Sequence, residues 1–429
     1  MPTGTEARAV AEATFRREHG RIIAALIRRC GSFDRAEEAM QEAFASALAH
    51  WSVDGVPEQP GAWITTAAHR KLIDVARRER TRRQHQLLFD PLSEAQTDDR
   101  PEEISALQPD DDRLRLIFTC CHPALNIEAQ VALTLRTLGG LTTDEIARAF
   151  LLPEATLSQR LVRAKRKIQQ ARIPYEIPPA HLLPERRASV QAVIYLIFNE
   201  GYAATTGDCL IRRDLCCEAI RLARLLCELY PGDPESLGLL ALMLLHDSRR
   251  NARVDASGAL VTLEEQDRSA WDREEIEEGV ALVETALAMR SAGPYQLQAA
   301  IAALHAQAPV GQQTDWAQIA ALYAELAKVN PSPVILLNRA VAIGMSEGPE
   351  RGLAMIDSLG IAGALDQYYL LHAARADLFR RLGRTDAAVA SYRRAASLVT
   401  NDIERRYLEQ RLQECEGAGR STSRRAGVR

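Results

Sequence analysis

The polar residues whose spacing best suits chemistry lie between Gly140 and Ile168, in the sequence GLTTDEIARAFLLPEATLSQRLVRAKRKI. Gln, Ser and Arg side chains near the start of a helix can reach base edges in a DNA major groove, and Arg and Lys side chains further along can neutralise phosphates. The pattern therefore indicates contact with double-stranded DNA. The candidate DNA-contacting residues are Thr156, Ser158, Gln159, Arg160, Arg163, Lys165, Arg166 and Lys167.

Two helices must position these side chains. Thr142 or Thr143 can cap a first helix with Glu145 near its third position, and Pro153 breaks that helix. The second helix should run from 155 to 168. The residues predicted to be buried are Ile146, Ala147, Phe150, Leu157, Leu161 and Ala164. This is the spacing of a helix-turn-helix, and a plain amphipathic helix with a solvated basic face is the less favoured alternative.

A second group of candidate side chains begins near Trp63, in the sequence WITTAAHRKLIDVARRER. Aromatic faces can stack on splayed bases, and cations can follow a single-stranded backbone. The candidates for such contacts are Trp63, Thr66, His69 and Arg70, followed by Arg77 and Arg78 in a basic helix end. A Trp at the start of a helix is more often a core residue, so the pattern leaves both interpretations open.

The sequence from Asp34 to Trp51, DRAEEAMQEAFASALAHW, predicts an amphipathic helix. Its small apolar residues and Phe44 are spaced to pack inward. Glu37, Glu38 and Gln41 form an acidic, polar face that we expect to be exposed. By itself this pattern predicts a helix and no function.

The composition favours helices throughout the chain. Apolar residues make up 47% of it and aromatic residues 5%, with Ala, Leu, Arg and Glu dominant. We therefore predict an all-α protein. No apolar run approaches the roughly 20 residues of a membrane span, and no signal sequence is recognisable, so we expect a cytoplasmic protein. The net charge of −4 argues against nucleic acid as a partner, but the clustering of the basic residues argues for it.

The eight cysteines include no CxxC pair and are expected to be reduced and mostly buried. Cys120, Cys121 and His122 are weak candidates for metal ligands, because consecutive positions on a helix point in different directions. We predict neither a metal nor a cofactor.

Changes in composition divide the chain into units. The acidic, Pro- and Ser-rich stretch 90–112 predicts a flexible linker, and prolines between 173 and 185 predict a second boundary. Beyond it, a template of about 34 residues per helix pair fits best at Ala376, Phe379, Gly383, Ala388, Tyr392 and Ala395. We predict folded units at 1–89, 113–172 and 186–415, the last a tetratricopeptide-like array, and a disordered tail at 416–429. Generic helical hairpins are the alternative for the array.

The order and separation of three blocks carry a family resemblance. DRAEEAMQEAFASALAHW, PGAWITTAAHRKLIDVARRER and the helix-turn-helix together resemble regions two and four of the sigma-70 family in its compact extracytoplasmic-function form. The segments from LCCEAIRLARLL to HAARADLFRRLGR resemble the tetratricopeptide-like extension of one group of these factors. The resemblance implies a non-enzymatic transcription initiation factor whose partners are core RNA polymerase and promoter DNA, and a regulatory extension.

The resemblance also assigns roles by position. It implies that the loop 52–61 and the helix 63–78 open and read the −10 element, and that residues 156–167 read the −35 element. We further expect the extension to pack on one or both promoter-reading units and to change their activity. The residues implied to lie in the polymerase-docking helix are Asp34, Glu37, Glu38, Gln41 and Phe44.

Charged residues are concentrated between Asp247 and Trp271 in the extension. They could form a small-ligand site or an ion-paired network that fixes an irregular loop, and we favour the network. A stand-alone helix-turn-helix regulator with a repeat-type sensor is the alternative for the whole chain. An enzyme with its active site in this loop is disfavoured, because the sequence has no Ser-His-Asp order, metal-ligand spacing or phosphate-binding glycine loop.

Overall fold

The computed structural model describes residues 4–87, 109–150, 152–204, 210–358 and 361–426. Within these ranges the chain forms 19 α-helices and no β-strand, and its β-structure consists of isolated bridge positions, such as those of Val254 and Leu260. This confirms the prediction of an all-α protein. None of the described helices is both long and apolar enough to cross a membrane. The helices group into two compact units, residues 1–193 and 194–429.

The first unit begins with three long helices, α1 (Gly4–Cys30), α2 (Phe33–Asp54) and α3 (Pro60–Leu87). The Ser32 side chain caps α2 by accepting a hydrogen bond from the Arg35 backbone. Helix α2 starts one residue and α3 three residues before the predicted starts, so the loop between them is shorter than predicted. Each of the three helices buries one apolar stripe against the other two. The buried residues include Ile23, Leu26, Ala36, Met40, Ala43, Ala47, Trp51, Ile64 and Ala68.

Four further helices complete most of this unit: α4 (Pro109–Cys120), α5 (Ile127–Thr137), α6 (Thr143–Ala149) and α7 (Glu154–Gln170). Residues 90–108 of the predicted linker lie outside the described residues. Its last residues belong to α4, where Asp112 is buried and pairs with Arg28 at 3.3 Å and Arg115 at 3.1 Å. The linker prediction missed this because the acidic run that ends at Asp112 looks solvent-exposed until the arginine partners of Asp112 are known.

The stretch 173–182 is not α-helical, in agreement with its prolines, and helix α8 (Leu183–Tyr202) follows it. Tyr175 in this stretch donates its hydroxyl hydrogen to the carbonyl oxygens of Ala24 at 2.9 Å and Asp112 at 3.1 Å. The boundary between the two compact units falls within α8, between residues 193 and 194.

The second unit is a series of helices that pack mostly on their neighbours in sequence. Its helices are α9 (Arg213–Leu229), α10 (Pro234–Asp247), α11 (Arg273–Ala288), α12 (Pro294–Gln307), α13 (Trp316–Val329), α14 (Pro333–Glu347), α15 (Pro349–Ser358), α16 (Ile361–Ala364), α17 (Tyr369–Arg381), α18 (Thr385–Leu398) and α19 (Asp402–Ala426).

The hairpin of α17 and α18 follows the predicted repeat template. Ala376, Ala388, Tyr392 and Ala395 share one buried cluster, and Gly383 makes the turn with a φ of 68° that favours glycine. Residues 416–426, predicted as a disordered tail, continue α19 as helix. A helix that has already formed gains a hydrogen bond for each residue that extends it, so extension costs less free energy than starting a new helix.

Candidate nucleic-acid interface

Helices α6 and α7 form the predicted helix-turn-helix. The Thr142 hydroxyl accepts a hydrogen bond from the Glu145 backbone at 3.1 Å, and the Glu145 carboxylate accepts one from the Thr142 backbone at 2.7 Å. This reciprocal pair is a capping box, which fixes the start of α6. Ile146 and Ala147 bury the inner face of α6, and Pro153 stands at the N-cap of α7.

Helix α7 separates its apolar and polar faces as the sequence predicted. Leu157, Leu161, Ala164 and Ile168 are buried. Most of the predicted DNA-contacting side chains share the opposite, open face, and Arg160 is half-buried at its edge. The exposed members are Thr156, Ser158, Gln159, Arg163, Arg166 and Lys167.

Lys165 departs from this pattern. Its side chain is only 14% exposed, and its ammonium group lies 2.9 Å from the Asp34 carboxylate and 3.0 Å from the Glu37 carboxylate. The reason is helical geometry, because Lys165 follows the buried Leu161 by four residues and therefore borders the buried stripe. The spacing of Lys165 from Leu161 could have predicted its burial, but Lys165 was grouped with the basic residues around it and was expected to be exposed with them.

The polar face of α2 is partly open and partly covered. Asp34, Glu38 and Gln41 are exposed. Glu37, which was expected to be exposed, retains only 17% of its side-chain exposure because Lys165 and Arg136 approach it, Arg136 at 3.9 Å. Phe44 is half-buried, as its position predicted, with its ring packed edge-on against Phe15 at 4.9 Å.

Helix α3 and the loop before it line an open cleft with a volume of about 550 Å³. Trp63, Thr66 and Arg70 contribute from α3, where their spacing places them on one face. The Trp63 ring packs edge-on against the buried Trp51, with 5.6 Å between ring centroids. Trp63 is half-buried, so it combines the core role with a surface that faces the cleft. The remaining lining residues are Pro57, Glu58, Gln59, Ala62 and Ala67.

His69 does not join this group. It lines a separate cavity of about 300 Å³, and its Nδ1 lies 2.9 Å from an Arg29 guanidinium nitrogen. Burial, together with the charges of Arg29 and Arg28, lowers the pKa of His69. One residue along a helix turns the side chain by about 100°, which separates His69 from Arg70. Arg77 and Arg78 are exposed further along α3.

The charged loop of the extension holds an ion-paired network around Arg250. The Arg250 guanidinium pairs with Asp247 at 3.0 Å, Asp272 at 2.7 Å and Glu275 at 2.6 Å. These contacts tie the end of α10 to the start of α11. They support the structural interpretation of the loop that the sequence favoured.

Three further arginines of this loop are nearly buried, and they contact aromatic rings and helix ends. The guanidinium groups of Arg249, Arg253 and Arg268 lack carboxylate partners within salt-bridge distance over the described ranges, and each residue is at most 9% exposed. Arg253 lies over the Tyr202 ring and donates to the Tyr202 carbonyl, and Arg268 lies over the Trp271 ring and donates to the Ala308 carbonyl. Cations stabilise the partial negative charge at helix C-termini, so these arginines hold α8 and α12 in place.

The cysteine and histidine side chains considered as metal ligands have other partners. The thiols of Cys120 and Cys121 are buried and lie 3.1 Å from the Thr137 hydroxyl and 3.6 Å from the Thr134 hydroxyl. His122 accepts a hydrogen bond from a backbone amide two residues on. Within the described ranges, no group of three or more His, Cys, Asp or Glu residues is arranged to hold a metal ion.

Three protein families match parts of the chain. A family described as sigma-70 region 2 matches residues 14–82, and one described as sigma-70, region 4 matches residues 115–168. A family of unknown function (DUF6596) matches residues 186–287. No solved structure matches the chain.

Two similar proteins cover different shares of the chain. An uncharacterized protein of Rhizobium meliloti (strain 1021) is 46% identical over 397 residues, 91% of this chain and 92% of its own length. The probable ECF RNA polymerase sigma factor SigI of Mycobacterium tuberculosis (strain CDC 1551 / Oshkosh) is 27% identical over 185 residues, 42% of this chain and 61% of its own length. With regions two and four matched in order and a helical unit following them, the chain belongs to the extracytoplasmic-function group of the sigma-70 family and is an RNA polymerase sigma factor with a C-terminal extension.

Proposed function

We propose that this sigma factor docks on core RNA polymerase through α2, reads the −10 element with α3 and the loop before it, reads the −35 element with α7, and is regulated by its extension. The observation that carries the proposal is the exposed polar and basic face of α7, set on a capped helix-turn-helix that follows the three helices α1 to α3. Sigma factors act as initiation factors without enzymatic activity of their own.

The shape of α7 suits a major groove. Its open face carries hydrogen-bonding side chains in the first two turns and cations in the last two. Residues near the start of a recognition helix contact base edges, while later cations contact phosphates. The buried Leu157, Leu161, Ala164 and Ile168 hold that face in a fixed orientation.

The cleft on α3 suits an unpaired base. Trp63 offers an aromatic surface, Thr66 a hydroxyl and Arg70 a cation, and all three line the same open space. Stacking on an aromatic ring contributes about 1 to 3 kcal/mol per base. His69 faces Arg29 instead, so we assign it to the support of α3 and not to DNA contact.

Charge reversal on α2 tests the docking assignment. Glu38 is exposed, so Glu38→Lys should weaken binding to core polymerase while the fold stays intact. Glu128→Lys makes the same charge change at an exposed site on α5 and should bind as the wild type does. Equal affinity of both variants in a titration of labelled core polymerase would show that α2 is not the docking helix.

In vitro transcription tests the role of the extension. Full-length protein and a version ending at Val193, the limit of the first compact unit, are compared with core polymerase over a genomic promoter library at equal folded concentration. We expect the promoter-dependent transcript levels to differ between the two. Equal transcript levels, with no cross-links between the extension and residues 1–172, would mean that the extension is an independent tether.

The same transcription assay distinguishes the proposed sigma factor from the alternative function. A stand-alone helix-turn-helix regulator would bind DNA without core polymerase and would not direct initiation when added to it. Co-purification with core polymerase, followed by specific transcript starts, distinguishes the sigma factor from such a regulator.

A further inference from the structure

Three buried arginines of the extension alternate with two aromatic rings. The guanidinium carbon of Arg253 lies 3.7 Å from the centre of the Tyr202 ring, and that of Arg249 lies 5.8 Å from the same ring. Arg249 is also 5.8 Å from the centre of the Trp271 ring, which Arg268 approaches to 4.8 Å. Shared rings therefore connect Arg249, Arg253 and Arg268 into one group, the arginine cluster.

The positive charge of the arginine cluster is held away from water and close together. Arg249, Arg253 and Arg268 are 9%, 8% and 8% exposed. Burial, with the charge of Arg249, lowers the pKa of Arg253 and of Arg268. Buried charges of one sign are costly unless an opposite charge accompanies them.

The carboxylates near the arginine cluster have other partners. Asp247 pairs with Arg250 at 3.0 Å. Glu404 attracts Arg253 from beyond salt-bridge distance and shares a hydrogen bond with Tyr369. Over the described ranges, the cluster therefore has more cations than carboxylates that pair with them.

Three hydrogen-bond donors of the cluster are left without acceptors. One nitrogen of Arg249 donates to the Tyr202 hydroxyl at 2.6 Å, and one of Arg268 donates to the Ala308 carbonyl at 2.6 Å. The Nε atoms of both arginines and the indole Nε1 of Trp271 are buried and have no hydrogen-bond partner among the described residues. All three nitrogens carry hydrogen and belong to residues packed on the Trp271 ring, so a group that satisfies them must supply acceptors.

We propose that the arginine cluster is a binding site for a phosphate group, either free or carried by a small molecule. A phosphate monoester has terminal oxygens that only accept hydrogen bonds and a charge of about −1.5 to −2 near pH 7. A carboxylate brings fewer oxygens and a single charge. The planar guanidinium fork also matches phosphate geometry. A dianion therefore fits three cations and three open donors better than a carboxylate does.

The phosphate site lies in the part of the chain that matches the family of unknown function, residues 186–287. This region holds all five residues that build the site. The proposal is independent of the roles proposed for α2, α3 and α7, because none of these helices contributes to it.

The loop 253–268 gives the ligand a way in, because two of the arginines stand at its ends. Ion pairs fasten the loop near its second end, Glu264 with Arg381 at 2.6 Å and Glu265 with Arg411 at 2.5 Å. The two glutamate side chains are 44% and 51% exposed. Exposed ion pairs contribute little free energy, so the loop can yield to an ion while the helices stay folded.

Hydrogen exchange of the full-length chain tests the site. Calorimetric titration with inorganic phosphate gives the dissociation constant. Phosphate at about ten times that concentration should slow exchange in α10 to α12 about tenfold, because it binds the folded state alone. Potassium acetate at equal ionic strength should slow it much less. An absence of binding heat together with unchanged exchange, or equal slowing by acetate, would overturn the phosphate site.

Amides of the first unit provide the internal reference. Phosphate stabilises folded proteins generally, because it is excluded from their surfaces. This general effect acts on α1 to α3 as well, whereas binding at the arginine cluster acts on α10 to α12. Equal slowing in both sets of amides would show that phosphate has no site in the extension.

Substitutions of Arg249 separate binding from packing. Arg249→Met removes the central cation and should abolish the slowing by phosphate, whereas Arg273→Met makes the same change at an exposed position and should respond as the wild type does. If Arg249→Met does not fold, Arg249→Lys keeps the charge without the planar fork and should weaken phosphate binding severalfold. A wild-type response to phosphate in the folded Arg249 variants would refute the site.

A second probe distinguishes the two sources of phosphate. Glycerol 3-phosphate carries the same group on a small organic molecule. Tighter binding of glycerol 3-phosphate than of inorganic phosphate would identify an organic phosphate as the ligand class, and the reverse order would identify the free ion. Failure of both probes to bind the full-length chain would overturn the proposal.

Discussion

Arginine and lysine side chains occupy opposite environments in the two units of this molecule. On α7 of the first unit, Arg163, Arg166 and Lys167 are exposed on one open face. In the second unit, Arg249, Arg253 and Arg268 are at most 9% exposed and are held by aromatic rings, helix-end carbonyls and hydroxyls. Under the proposed function, basic side chains on α7 therefore serve an outside partner, whereas those of the second unit serve the fold itself. Burial, and not the local density of charge, separates the two roles.

The largest expected effect is on the buried side of this comparison. Trp271 is 3% exposed and lies beneath the guanidinium groups of Arg249 and Arg268. Trp271→Ala should reduce the local stability of the extension by about 3 to 5 kcal/mol, because it empties a packed site and removes a ring that covers two buried cations. Hydrogen exchange of the amides in α10 to α12 measures the loss. Trp271→Phe keeps a ring and should lose less stability. Unchanged protection of these amides from exchange in Trp271→Ala would show that the cluster has no structural role.

A smaller effect is expected on the exposed side. Arg163→Ala should weaken −35 binding by about 1 to 3 kcal/mol if Arg163 contacts a base edge, or lower the slope of affinity against salt by about 0.9 if it contacts a phosphate. Stability should change by less than about 0.5 kcal/mol, as for other exposed sites. Footprinting over a salt series measures both effects, with Val162→Ala as the control, because Val162 is 62% exposed on the same helix. An unchanged footprint would place the DNA contact elsewhere.

Patterns confined to one helix could be read from the sequence, because they depend only on helical periodicity. The capping box at Thr142 and Glu145 and the buried face of α7 follow from residue spacing and are present in the structure. The repeat template likewise located Gly383 and the buried cluster around Tyr392.

Contacts between helices distant in sequence could not be read in this way. Lys165 meets Asp34 and Glu37 across more than 120 positions, and Asp112 is buried only because arginines on two helices surround it. Periodicity gives the face on which a residue lies but not the helix that it meets. His69 was expected among the DNA-contacting residues but faces Arg29 instead. Periodicity could not predict this contact, because Arg29 lies 40 positions away on α1.

The smallest expected effect is a pH dependence of the extension, and it also separates buried from exposed charge. Burial, with the charges of Arg249 and Arg268, lowers the pKa of His305 from 6.5 to about 4, and burial lowers the pKa of His246 well below its usual value. These two histidines therefore bind fewer protons in the folded extension than in the unfolded chain below about pH 6.5. Their contribution to stability should be fully present above that pH and should be lost progressively as the pH falls toward 4.

Glu275 opposes this loss and makes it testable. Burial and the Asp247 carboxylate raise the pKa of Glu275 from 4.5 to about 7, so Glu275 contributes stability that is present below pH 4.5 and is lost as the pH rises through 7. His305→Gln should therefore flatten the fall in stability between pH 7.5 and 5, and Glu275→Gln should steepen it. Hydrogen exchange of α10 to α12 at both pH values, corrected for intrinsic rates, measures these slopes. If both variants show the wild-type slope, proton binding by His305 and Glu275 does not contribute to the stability of the extension. The buried arginines would then differ from the exposed face of α7 in their packing alone.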